Sequence, residues 1–93
     1  MHRLLVTVAS QSGLHARPAS ALVKAAARQP VKVTLGRPGQ PGVDARSLLS
    51  VLALAAGHGE TLELSAEGDQ AQQAVKELAD LLATDLDATP TPA

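Results

Sequence analysis

The 93-residue sequence contains no cysteine, no isoleucine and no aromatic residue. Lack of cysteine excludes a disulfide scaffold, a thiolate zinc site and a cysteine nucleophile. Lack of aromatic rings leaves no stacking platform for single-stranded nucleic acid, which disfavours a small RNA-binding domain. No apolar run approaches the roughly 20 residues that a membrane helix needs, and the strand-like N-terminus does not resemble a signal peptide. We therefore expect a cytoplasmic protein that inserts into no membrane.

Hydrophobic residues make up 45% of the sequence, and apart from one Met they are all Ala, Leu or Val. This length and composition predict one small domain with an aliphatic core. We place the domain at residues 1–87. Residues 88–93 contain two prolines and no apolar period, so we expect a disordered tail there.

The apolar spacing predicts four strands and three helices. Alternating residues indicate strands at 3–9, 31–35, 43–45 and 61–67. A helical period indicates helices at 16–28, at 48 to about 56, and from about 70 to between 84 and 86, with N-caps at His15, Ser47 and Asp69. The order β-α-β-β-α-β-α predicts an α+β open-faced β-sandwich, a four-stranded antiparallel sheet with three helices on one face.

The charges are unevenly distributed along the chain. Residues 1–43 carry a formal charge of +6 with no acidic residue, whereas residues 44–93 carry −7. Such a distribution can steer a charged partner to one surface, but it is also compatible with simple solubility.

The three histidines differ in their surroundings. His2 follows the initial Met, and we expect it to be frayed and exposed. His58 lies between two glycines, where any exposed polar residue would serve. The three histidines show no metal-ligand spacing, and we predict neither a metal nor a cofactor.

His15 directly precedes the first predicted helix, although histidine is not a favoured N-cap. The first-turn amides of Ala16 and Arg17 have no intrahelical acceptor, and a helix N-terminus favours phosphate. The Arg17 guanidinium is also suited to phosphate oxygens, and a neutral imidazole can act as a nucleophile. By spacing alone, a phosphate-handling histidine and an ordinary exposed histidine both remain open.

Residues 13–19, Gly-Leu-His-Ala-Arg-Pro-Ala, resemble the active-site motif of HPr, the phosphocarrier of the bacterial sugar phosphotransferase system. Residues 45–54, Ala-Arg-Ser-Leu-Leu-Ser-Val-Leu-Ala-Leu, resemble the regulatory segment of that family, and residues 65–68 resemble its last strand and turn. The resemblance covers residues 1 to about 86.

The resemblance implies a phosphoryl carrier rather than an enzyme. Nδ1 of His15 would accept the group from phosphorylated enzyme I, which takes it from phosphoenolpyruvate, and would pass it to the IIA domains of sugar transporters. Arg17 would neutralise phosphoryl charge. Ser47 would be the regulatory phosphorylation site, with an HPr serine kinase/phosphorylase as a further partner.

The same resemblance, together with the charge pattern, implies a docking surface for these partners. We expect the surface to include Lys24, Arg28, Arg46, Leu48 and Leu52. We also expect a monomer that binds no nucleic acid.

Three departures from the family pattern remove no catalytic group. The loop 36–42 is about one residue longer and has two prolines, Gln29 stands where Phe is frequent, and Ser12 replaces Asn or Thr. The alternative function is an HPr-like regulatory binding module controlled by phosphorylation of Ser47. Retention of His15 argues against it, because a purely regulatory protein would not need the acceptor.

Overall fold

The computed structural model describes residues 1–11 and 13–84, which form four strands and three helices in the predicted order. The strands are β1 (His2–Thr7), β2 (Val33–Gly36), β3 (Val43–Asp44) and β4 (Thr61–Ala66). The helices are α1 (Ala16–Ala27), α2 (Leu48–Ala53) and α3 (Ala71–Leu82). The described residues do not include Ser12 or residues 85–93. The domain boundary at residue 87 and the disordered tail at 88–93 therefore stay predictions.

The strands form one antiparallel sheet in the order β1-β4-β2-β3. The register of β1 against β4 begins at His2, which lies opposite Ala66. The expectation of a frayed, exposed His2 is therefore wrong, because the pairing with β4 extends to this residue and leaves it half-buried.

One face of the sheet is covered and the other is open. Along β4, Leu62 and Leu64 are fully buried, whereas Thr61, whose side chain points to the opposite face of the same strand, is exposed. Helix α3 packs on β1 and β4, and α1 packs on α2 and α3. In the described part of the chain, every buried hydrophobic residue is Leu, Val or Ala. The predicted open-faced sandwich with an aliphatic core is thus confirmed.

Strand β2 begins two residues later than predicted. Val31 lies before the strand and is half-buried, and pairing with β4 starts only at Val33. Ala45, predicted as the last residue of β3, follows the strand and donates its N–H to the Val33 carbonyl at 2.9 Å.

Helix α2 is shorter than predicted. Its last turn tightens, because the Leu54 N–H donates to the Val51 carbonyl and the Ala55 N–H to the Leu52 carbonyl. Ala55 then adopts φ 53°, in the left-handed region. The helix therefore ends at Ala53 instead of continuing to the glycine at position 57.

The predicted N-cap of α3 is also wrong by one residue. Gln70 occupies the cap position, and its side chain makes no capping hydrogen bond. The preceding turn supplies the acceptor instead, since the Ala71 N–H donates to the Gly68 carbonyl at 3.1 Å. The Asp69 side chain is not required for this helix start.

Candidate functional site

His15 occupies the N-cap of α1 with an extended backbone, φ −138° and ψ 159°. Its side chain is exposed and makes no capping hydrogen bond. The backbone on both sides is held, because the His15 N–H donates to the Gly13 carbonyl at 3.0 Å and the Ala19 N–H donates to the His15 carbonyl at 3.5 Å. The imidazole is therefore presented to solvent on a fixed backbone.

Two amides beside His15 have no acceptor among the described residues, those of Ala16 and Arg17. The next residue, Pro18, is buried and has no N–H to satisfy. Ala16 has φ 40°, a left-handed conformation that costs an alanine about 1 kcal/mol. Such backbone outliers persist where the surrounding structure enforces them, often at functional sites. The two free N–H groups can donate hydrogen bonds to an anion at the positive end of the helix.

Arg17 is exposed on the first turn of α1 and forms no ion pair within the described residues. Lys24 and Arg28, seven and eleven residues further along, are also exposed. At 3.6 residues per turn these spacings return to the same side of the helix. The structure therefore brings three of the predicted basic residues into one stripe that begins beside His15.

The segment before His15 packs tightly against the turn that follows α2. The Leu14 N–H donates to the Ala56 carbonyl at 2.8 Å. Gly13 has φ 76°, and a Cβ at this position would lie 2.5 Å from the same carbonyl oxygen. Only glycine fits at position 13, because any side chain would be strained and would collide with backbone.

Ser47 occupies the N-cap of α2, as the sequence predicted. Its Oγ accepts a hydrogen bond from the Ser50 N–H at 3.3 Å and lies 3.0 Å from the Ser50 Oγ. The hydroxyl thus supplies an acceptor for an otherwise unpaired amide of the helix start.

The apolar residues of α2 are not equally available to a partner. Leu48 is 43% exposed, whereas Leu52 is half-buried and packs on the core. Leu49, which the sequence analysis did not select, is 81% exposed. It lies about 200° around the helix from the buried Val51, and this spacing could have identified it. The exposed apolar surface of α2 therefore comes from Leu48 and Leu49 more than from Leu52.

Arg46 differs from the other predicted basic residues because an acidic residue neutralises it. Its Nε and Nη2 donate to the two carboxylate oxygens of Asp44 at 3.1 and 2.9 Å. The Arg46 N–H also donates to Asp44 Oδ1 at 2.9 Å. These bonds lower the pKa of Asp44 from 3.8 to about 2. Arg46 thus brings little net charge to the expected basic surface.

The Asp44–Arg46 pair predicts a small, pH-dependent contribution to stability. Because the pKa of Asp44 is lowered to about 2 on folding, the contribution is present above about pH 4 and is lost as the pH falls through about 2. Both side chains are partly exposed, so Asp44→Asn should lower the free energy of unfolding at pH 7 by less than about 1 kcal/mol.

Urea unfolding at pH 7 and near pH 2 measures this effect. The same substitution in an Arg46→Gln background is the control and should have a smaller effect at pH 7, because only the backbone hydrogen bond to Asp44 then remains. A destabilisation by Asp44→Asn that is equal at the two pH values would contradict the assignment.

The structure is a small α+β open-faced sandwich that presents an exposed histidine at the start of α1. The family model described as "PTS HPr component phosphorylation site" matches residues 3–84. The Pseudomonas aeruginosa phosphocarrier protein HPr is 40% identical over 82 residues, which cover 88% of this chain and 91% of that protein. The chain belongs to the HPr family.

Solved HPr structures have the same fold. HPr-C-His from Thermoanaerobacter tengcongensis superposes with a TM-score of 0.80 at 32% identity and covers 88% of this chain and 91% of that one. A structure titled as an HPr dimer from the same organism has a TM-score of 0.64 at 32% identity, with 87% and 92% covered.

Membership of the family gives the general function. The chain is a phosphocarrier of the phosphotransferase system, interacts with components of that system and is not an enzyme. No helix within residues 1–11 and 13–84 is long and apolar enough to cross a membrane.

Proposed function

We propose that Nδ1 of His15 accepts a phosphoryl group from phosphorylated enzyme I and passes it to the IIA domains of sugar transporters. The observation that carries the proposal is the exposed imidazole of His15, beside the amides of Ala16 and Arg17, all without a partner among residues 1–11 and 13–84. The Nδ1 lone pair forms the N–P bond as the bond to the donor breaks, and the donor keeps the electron pair of that bond. Transfer to a IIA domain is the same exchange with the carrier as donor.

The roles of the neighbouring groups follow from the charge on the transferred group. The amides of Ala16 and Arg17 can donate to phosphoryl oxygens at the start of α1, and the Arg17 guanidinium can neutralise them further. Donors that are in place before the reaction stabilise developing charge without reorganisation.

The direct test is incubation with phosphoenolpyruvate and enzyme I, followed by intact-mass measurement. A gain of one acid-labile phosphoryl group is the expected result. Omission of enzyme I is the control, since the carrier has no activity of its own toward phosphoenolpyruvate. Absence of labelling with an active enzyme I would refute the proposal.

Arg17→Ala should fold normally and transfer the phosphoryl group about tenfold more slowly in both directions, equivalent to about 1.4 kcal/mol of transition-state stabilisation. The physical reason is loss of a cationic partner for the phosphoryl oxygens. Quenched-flow or stopped-flow measurements give the rate of phosphoryl transfer from enzyme I to this protein and the rate from this protein to a IIA domain.

Arg3→Ala is the matched control for Arg17→Ala. Arg3 is also exposed but lies on β1, and its Nε donates to the Met1 sulfur. Equal rates for the two variants in both directions would exclude the role of Arg17.

The proposed docking surface combines Lys24 and Arg28 of α1 with Leu48 and Leu49 of α2. The helices pack on each other, and the basic stripe would meet an acidic partner surface. We also propose that the protein is a cytoplasmic monomer and that Ser47 is the substrate of an HPr serine kinase/phosphorylase. The oligomeric state is testable by light scattering.

A further inference from the structure

An ion pair connects Arg37, just after β2, with Glu60, just before β4. Each partner also bonds to the backbone of residues 54–57, which we call the support turn. Arg37 Nη2 donates to the Leu54 carbonyl at 2.9 Å, and the Gly57 N–H donates to Glu60 Oε1 at 3.1 Å. The ion pair therefore fixes both ends of the support turn.

The support turn contains a strained residue. Ala55 has φ 53°, a conformation that a residue with a Cβ rarely adopts. A strained residue keeps such a conformation only where its surroundings enforce it. Arg37 and Glu60 provide two such restraints, one on each side of Ala55.

The support turn also holds the backbone that leads to His15. The Ala56 carbonyl accepts the Leu14 N–H at 2.8 Å, and Gly13 lies against the same carbonyl. Leu14 is 1% exposed and immediately precedes His15. A displacement of Ala56 would therefore move the backbone on which the imidazole is mounted.

We propose that the Arg37–Glu60 pair positions the imidazole of His15 for phosphoryl transfer by holding the support turn under Leu14. The proposal rests on the proposed function of His15. Arg37 and Glu60 are positioning residues, because their bonds end on backbone atoms of the support turn and not at the imidazole.

The pair suits a positioning role better than a purely stabilising one. Its side chains are 38% and 30% exposed, and ion pairs at such sites contribute little to the free energy of unfolding. Transfer rates, in contrast, are sensitive to displacements of about 1 Å at the reacting atoms. The hydrogen bond from Arg37, with that from the Gly57 amide, lowers the pKa of Glu60, so its carboxylate stays ionised at neutral pH.

The test uses Arg37→Gln and Glu60→Gln in the full chain. Arg3→Gln and Glu67→Gln are the controls, because they change the same charges at exposed positions remote from the support turn. Each variant is measured by hydrogen exchange of the Leu14 amide and by kcat and KM for transfer from phosphorylated enzyme I. If Arg37→Gln fails to fold, Arg37→Lys is measured in its place, because it keeps the charge but loses the planar fork of the guanidinium.

In both test variants, we expect the Leu14 amide to exchange about tenfold faster and kcat to fall about tenfold, while KM is unchanged. Both control variants should behave like the native protein. Native exchange at Leu14, or a change confined to KM, would overturn the proposal. If the native protein accepts no phosphoryl group, the proposed function fails, and the Leu14 exchange still decides whether the pair holds this backbone.

A charge exchange separates positioning from simple electrostatics. The double variant Arg37→Glu, Glu60→Arg can re-form an ion pair, but its carboxylate cannot donate to the Leu54 carbonyl and its guanidinium cannot accept the Gly57 N–H. We expect it to remain slow in transfer and fast in exchange. Recovery of both quantities would show that charge alone matters and would contradict positioning.

Discussion

Replacement of His15 by alanine is expected to abolish phosphorylation by phosphoenolpyruvate and enzyme I while the fold stays intact. The imidazole is the proposed acceptor, and alanine offers no atom to form an N–P bond. The side chain makes no capping hydrogen bond and is exposed, so the free energy of unfolding should change by less than about 0.5 kcal/mol. Intact mass after incubation measures the first effect, and urea unfolding measures the second.

His58→Ala is the matched control for His15→Ala. His58 is also exposed, but it lies in the turn between α2 and β4. This variant should be phosphorylated like the native protein. Full labelling of His15→Ala, or loss of labelling in His58→Ala, would show that the acceptor has been misassigned.

Ser47→Asp is expected to slow phosphoryl transfer from enzyme I by about tenfold or more, equivalent to about 1.4 kcal/mol. The substitution places a negative charge beside Leu48, which is 43% exposed on the proposed docking surface. Docking requires this apolar surface to be desolvated against an acidic partner, and the added charge opposes both conditions. The rate should recover partly at moderate salt, because exposed charges are screened.

Ser47→Ala separates the charge effect from loss of the cap. The Ser47 hydroxyl accepts the Ser50 N–H, so its removal should lower the free energy of unfolding by about 1 kcal/mol. Transfer should remain close to native, since no charge is introduced. Equal transfer rates for the alanine and aspartate variants would mean that Ser47 is a helix cap only.

Alternation and helical period were sufficient to predict the architecture. The buried residues of β4, Leu62 and Leu64, share one face as predicted, and α1 begins directly after His15. These features depend on local spacing and on which side chains avoid water, and both can be read from a single sequence.

The features that the sequence did not predict depend on contacts between distant segments. The contact of Gly13 with the Ala56 carbonyl joins positions more than 40 residues apart, and no local pattern specifies it. The neutralisation of Arg46 is different, because Asp44 is only two residues away. It depends on the turn after β3, whose backbone brings the guanidinium to the carboxylate.

The purely aliphatic core has a practical consequence for experiments on this protein. With no aromatic side chain, the chain has no intrinsic near-ultraviolet absorption band or fluorescence, and unfolding must be followed by the amide signal. Because the native chain has no intrinsic fluorescence, a single introduced tryptophan would be an unambiguous reporter. Leu49→Trp, at an 81% exposed position on α2, would give fluorescence that comes from one known place and responds only to what approaches that helix.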